Sequence, residues 1–154
     1  MSNLALTAAA FKDGDALPVK NTCDGENKSP ALSWSGVPEG TQSLALIADD
    51  PDAPMGTFTH WVLYNMPPAQ TSLPEGVPQV AQPRGYGTQG MNSYRHTGYD
   101  GPCPPKGPEH RYFFRLYALD LPPNLQGGLT AAQLAKAMEG HIVGQAQVMG
   151  HYHR

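Results

Sequence analysis

Short apolar runs closed by turn residues recur along the chain and predict strands rather than long helices. LALTAAAF (4–11) and ALSW (31–34) read as strands, the second stopped by Gly36 and Pro38. SLALIAD (43–49) is nearly continuous in apolar residues, as a strand buried on both faces should be. THWVLYNM (59–66) is rich in β-branched and aromatic residues, with His60, Val62, Tyr64 and Met66 on one face. In HRYFFRLYALD (110–120), Tyr112, Phe114, Leu116 and Ala118 share one face, and Phe113, Tyr117 and Leu119 the other. Only Arg111 and Arg115 interrupt them, which predicts a central strand between two packed layers. A last strand is expected within 141–154.

One helix is well marked. Thr130 followed by Gln133 is a capping-box pattern, Leu129 and Leu134 fit a hydrophobic staple, and Gly140 is a stop signal. Residues 67–99 are Pro-, Gly- and Gln-rich and weakly patterned, and are expected to hug the surface with short extended pieces. The elements predict a mainly β chain, a single domain over 1–154: a two-sheet antiparallel β-sandwich with one or two short peripheral helices.

Composition fits that picture. Gly and Pro number 17 and 16 and are spread along the chain, which suits many turns between short strands. A net charge of −3 with scattered Lys and Arg excludes a general nucleic-acid footprint. No apolar run is long enough to insert stably in a membrane, and the N-terminal run lacks the basic residues of a signal peptide, so the expected compartment is the cytoplasm. Cys23 and Cys103 make neither a disulfide framework nor a zinc site; a single bridge between them is left open.

Three places could carry chemistry. In Asp50-Pro51-Asp52-Ala53-Pro54, two carboxylates are pinned by prolines at the end of a buried strand. The plainer reading is a turn in which Asp accepts local N–H bonds. His60 sits on an otherwise apolar face, where a hydrogen-bonded core histidine is the commoner case. His110 and Tyr112, spaced to project together, follow a loop with four prolines between Pro102 and Pro108 and could offer an imidazole and a phenol to one anion. No metal motif supports a site built from Asp50, Asp52, His60 and His110, and His151 and His153 read as an exposed polar tail. No nucleophile elbow or phosphate-binding glycine loop is present, so neither a catalytic residue nor a cofactor is assigned.

DPDAP, then His60 in HWVLYNMP, then GYDGPCPPKGPEHRY together resemble the phosphatidylethanolamine-binding proteins, in particular their bacterial and archaeal Raf kinase inhibitor-like branch. The similarity runs over about residues 4–154. It implies Greek-key connections and a small anion pocket at one end of the sandwich, holding phosphate, a phosphomonoester or a phosphoethanolamine headgroup. By motif the pocket residues would be Asp50, Asp52, Pro54, His60, Gly101, Pro104, Pro105, His110 and Tyr112. Trp61, next to His60, faces away by strand alternation. The function expected is therefore non-enzymatic anion binding with a regulatory role. The alternatives are a protein inhibitor of a kinase or serine protease acting through 67–99, and a phosphoesterase using Asp50, His60 and His110. The resemblance also implies a homodimer.

Overall fold

The computed structural model describes residues 3–154. Its strands are β1 (Ala5–Ala8), β2 (Leu32–Ser35), β3 (Ser43–Asp50), β4 (Phe58–Met66), β5 (Ser72–Leu73), β6 (Thr88–Gln89), β7 (His110–Leu119) and β8 (Ile142–Tyr152). The helix α1 (Ala131–Met138) precedes β8, and a single 3-10 turn spans Val19–Asn21. The strands form two antiparallel sheets, ordered β1-β2-β5 and β6-β4-β3-β7-β8.

β3 lies at the centre of the larger sheet and is buried on both faces, as its unbroken apolar run predicts. Leu44, Leu46 and Ala48 face the smaller sheet and pack with Leu6, Trp34, Phe114 and Leu116. Ala45 and Ile47 face the other way and pack with Val62, Tyr64 and the helix residues Leu134 and Met138. Thr130 and Gln133 form the reciprocal capping box, and Gly140 adopts the left-handed φ of +79° expected just past the helix.

Two expectations change. Met66 does not share a face with Val62 and Tyr64, because it packs between the sheets, and neither does His60, whose ring lies against Tyr112. The register shifts twice, between Leu44↔Met66 and Leu46↔Leu63 and between Ala48↔Trp61 and Asp49↔Thr59, and β4 carries one extra residue at each shift. Asn65 supplies the left-handed turn at φ 58°, and its amide bonds both the Leu125 carbonyl, at 2.8 Å, and the Leu125 N–H, at 2.9 Å. The second face of β7 is half-buried rather than covered: Arg115 stacks on Phe113 at 4.4 Å and pairs with Asp49 at 3.3 Å.

The long segment 67–99 is tied down as expected, by β5, β6 and one buried amide. Gln89 accepts from the Trp61 indole at 2.8 Å and donates to the carbonyls of Pro78 and Val80. Cys23 and Cys103 are joined in a disulfide, closing the question the sequence left open. The bridge ties together two loops 80 residues apart in sequence. Chain entropy for a loop of that length gives an upper limit of about 4.5 kcal/mol. Reducing the bridge is expected to lower the denaturant midpoint by a corresponding amount. An unchanged midpoint would mean that hydrogen bonds alone hold the two loops.

Candidate functional site

Where β3 ends and β7 begins, the antiparallel pairing stops at Asp49↔Phe113. Just beyond it sit Asp50 and His110, both buried. Nδ1 of His110 donates to Oδ2 of Asp50 at 2.6 Å. The other carboxylate oxygen accepts the backbone N–H of Asp52 at 2.8 Å. The turn reading of DPDAP is thus correct for Asp50, and the same carboxylate also orients a histidine. Both of its oxygens are engaged, although the residue still lines the adjoining space.

That space is a hollow of about 230 Å³. Asp50, His60, His110 and Tyr112 form its polar part. Pro54, Pro104 and Pro105 stiffen its rim, and Ala53, Phe58, Tyr94 and Cys103 complete the wall. Nδ1 of His60 lies 2.8 Å from the Asp100 carbonyl oxygen. A carbonyl only accepts, so this nitrogen carries the proton and Nε2 keeps a lone pair in the neutral ring. The same argument applies to His110, whose Nδ1 faces a carboxylate. Burial holds the His60 pKa below its usual 6.5, against smaller opposing effects of the Asp100 carbonyl and nearby carboxylates. Tyr112 is buried and its hydroxyl has no hydrogen-bond partner of good geometry among the described residues. Burial, then the charge of Asp50, pushes its pKa upward, so it stays a donor.

Two residues assigned from the sequence lie elsewhere. Asp52 faces away from the hollow and forms a two-point pair with Arg111, at 2.9 Å for each contact. Hydrogen bonding to that guanidinium, opposed by burial, lowers the Asp52 pKa to about 2. Gly101 lines a second hollow of about 330 Å³ beside the first, together with Asn27, His96, Asp100 and the Cys23–Cys103 bridge. Glycine is required there by packing: a Cβ would stand 2.2 Å from the Asn21 carbonyl oxygen. Nor do His151 and His153 make a free tail. His151 lies within β8, and both histidines contact Glu109, at 2.7 and 3.3 Å.

Phe58, Tyr94 and Cys103 are wall residues that the sequence reading did not assign. Phe58 stands two positions before His60, so strand alternation could have found it. Cys103 lies inside the proline loop already singled out. Tyr94 falls in the weakly patterned segment and gives no local signal.

The chain matches the family model described as phosphatidylethanolamine-binding protein over residues 7–153. It is 51% identical over 149 residues to a UPF0098 protein of Methanothermobacter thermautotrophicus, covering 97% of this chain and 98% of that one. Two crystal structures are similar along nearly their whole length. One, from Chlamydia trachomatis, is described as a phosphatidylethanolamine-binding protein homolog: TM-score 0.88, 40% identity, 100% of this chain and 99% of that one. The other is Escherichia coli YbcL, described as a member of the mammalian family: TM-score 0.90, 32% identity, 99% of each chain.

The lowered His60 pKa has a consequence for stability. In the unfolded chain this imidazole takes up a proton near pH 6.5, whereas in the folded protein it resists protonation. The unfolded state then binds more protons, so the contribution of neutral His60 is present above pH 6.5 and is lost as pH falls toward the folded value. Denaturant midpoints at pH 7 and 5.5, without added anions, should show a drop that His60→Gln reduces. An equal drop in both proteins would place the titration in another group.

Proposed function

The chain belongs to the phosphatidylethanolamine-binding protein family, and on that premise we propose that its first hollow binds a small anion, phosphate or the phosphate end of a monoester. The observation that carries this reading is the Tyr112 hydroxyl, a buried donor without a partner among the described residues. Such a group costs about 1–3 kcal/mol unless something accepts from it. An anion oxygen would do so.

His60 and His110 fit the same role. Each has its Nδ1 hydrogen committed, to Asp100 O and Asp50 respectively, and Nε2 remains. Neutral, that nitrogen is an acceptor and would meet a hydroxyl of the protonated phosphate. Protonated, it is a second donor and adds positive charge. Binding is therefore linked to proton uptake at the site. Prolines at 54, 104 and 105 fix the rim beforehand, which reduces the ordering entropy lost on binding. A regulatory role through the bound headgroup is part of the same proposal. Inhibition through a projecting loop has less support, since 67–99 is bound to the body of the protein through Gln89 and two short strands.

Tyr112→Phe is the sharpest test, because it removes only the unpartnered hydroxyl. Calorimetry with inorganic phosphate should show at least about tenfold weaker binding, as expected for a lost bond to a charged group. Thermal stability should not fall. Equal affinity in the two proteins, or no binding by the wild type at millimolar phosphate, would overturn the proposal.

A second measurement tests the proton linkage. Phosphate affinity should rise as pH falls from 8 toward about 6, with heats that depend on the buffer's ionisation enthalpy. Flat affinity and buffer-independent heats would contradict it.

A further inference from the structure

The first hollow is graded along its length. A run of rings leads from His110 to Tyr112 (6.3 Å between centroids), to His60 (5.4 Å), to Phe58 (5.0 Å), to Tyr94 (4.7 Å) and on to His96 (6.2 Å). Hydrogen-bonding groups dominate the His110 end. Carbon dominates the other, where Phe58 and Tyr94 meet edge to face. A phosphate has five heavy atoms and, at about the 30 Å³ that liquid water gives each molecule, fills on the order of 100–150 Å³. The hollow, at about 230 Å³, has room for more.

Tyr94 stands at the end of that room. With Cys103 it belongs to the walls of both hollows, and the residue is 38% exposed, so it can be reached from outside. Its loop is held rigidly. Oδ1 of the buried Asn92 accepts the N–H groups of Tyr94 at 2.9 Å and His96 at 3.2 Å. Nδ2 of Asn92 donates to the Gly98 carbonyl and to Asp100, both at 2.9 Å. Arg95 between the two rings is left-handed, at φ 64°. A ring held in place this way loses little freedom when a ligand packs on it. Asp100, 2.9 Å from the neighbouring His96 ring, and Asp50 in the wall add negative charge near its hydroxyl, which disfavours a second anionic group at this end.

We infer that Tyr94 is the specificity-determining residue of the site, and that it favours phosphomonoesters whose attached group is planar and carries no negative charge, such as an aryl ring. The inference rests on the anion-binding reading. Phosphate engages His110, Tyr112 and His60, and the attached ring packs against Phe58 and Tyr94.

Calorimetry with inorganic, methyl and phenyl phosphate and with phosphoethanolamine tests it. Wild type should bind phenyl phosphate about three- to tenfold more tightly than methyl phosphate, the range expected of an aromatic pair. Tyr94→Phe should keep that ratio. Tyr94→Ala should reduce it to within about twofold, with a smaller loss for inorganic phosphate than for phenyl phosphate. Tyr94→Leu, which retains bulk without a ring, should behave like alanine and replaces it if the alanine protein does not fold. A ratio unaffected by alanine or leucine, an equal loss for inorganic phosphate, or a wild-type preference for phosphoethanolamine over phenyl phosphate would each overturn the inference while leaving phosphate binding in place. Failure of inorganic phosphate to bind wild type at all would remove the anion reading and this inference with it.

Discussion

A carboxylate placed almost wholly out of water has to be satisfied by its surroundings, and Asp50 imposes that condition on this end of the molecule. It meets it with the His110 imidazole on one oxygen and the Asp52 N–H on the other. The first contact fixes the entry of β7 against the exit of β3. The second folds the DPDAP turn back on itself. Removing either partner would leave a charge buried without compensation, which is far more costly than losing a surface pair such as Asp52–Arg111. The hollow is what remains between the two loops once that carboxylate is satisfied.

This arrangement would let the proposed anion site contain an acid. Asp50 is bonded to His110 and to the Asp52 N–H, and the histidine it holds has Nε2 as its remaining ring nitrogen. His60 is held in the same manner by a backbone carbonyl. Two imidazoles with their Nδ1 hydrogens committed each leave Nε2 as the free nitrogen of the ring.

Much of the fold was legible in the sequence because its information is local. The apolar run of β3, the ring-rich β7 and the capping box of α1 each specify their element within a few residues. The bulge at Asn65 was not legible, since it depends on an amide meeting Leu125 far along the chain. In the site, Asp50, Pro54, His60, Pro104, Pro105, His110 and Tyr112 come together around one hollow, whereas Asp52 and Gly101 do not. Asp52 is drawn off by Arg111, a partner whose position depends on strand pairing. Gly101 was read as a rim residue, but the constraint on it is the Asn21 carbonyl behind it. Tyr94 could not have been singled out, because the buried Asn92 that displays it looks like any loop asparagine.

The bond between Cys23 and Cys103 gives one wall of the site a chemistry of its own. Cys103 is exposed, and the Arg154 guanidinium lies 3.6 Å from its sulfur. A nearby cation stabilises a thiolate, which makes that sulfur the better leaving group when an external thiol attacks the bridge. Once opened, the loop carrying Gly101 would rest on noncovalent contacts such as Cys23 N–H to the Pro102 carbonyl and Gly101 N–H to Asn27. The wall shared by the two hollows would then have two covalent states, set by the thiol poise of its surroundings rather than by any ligand.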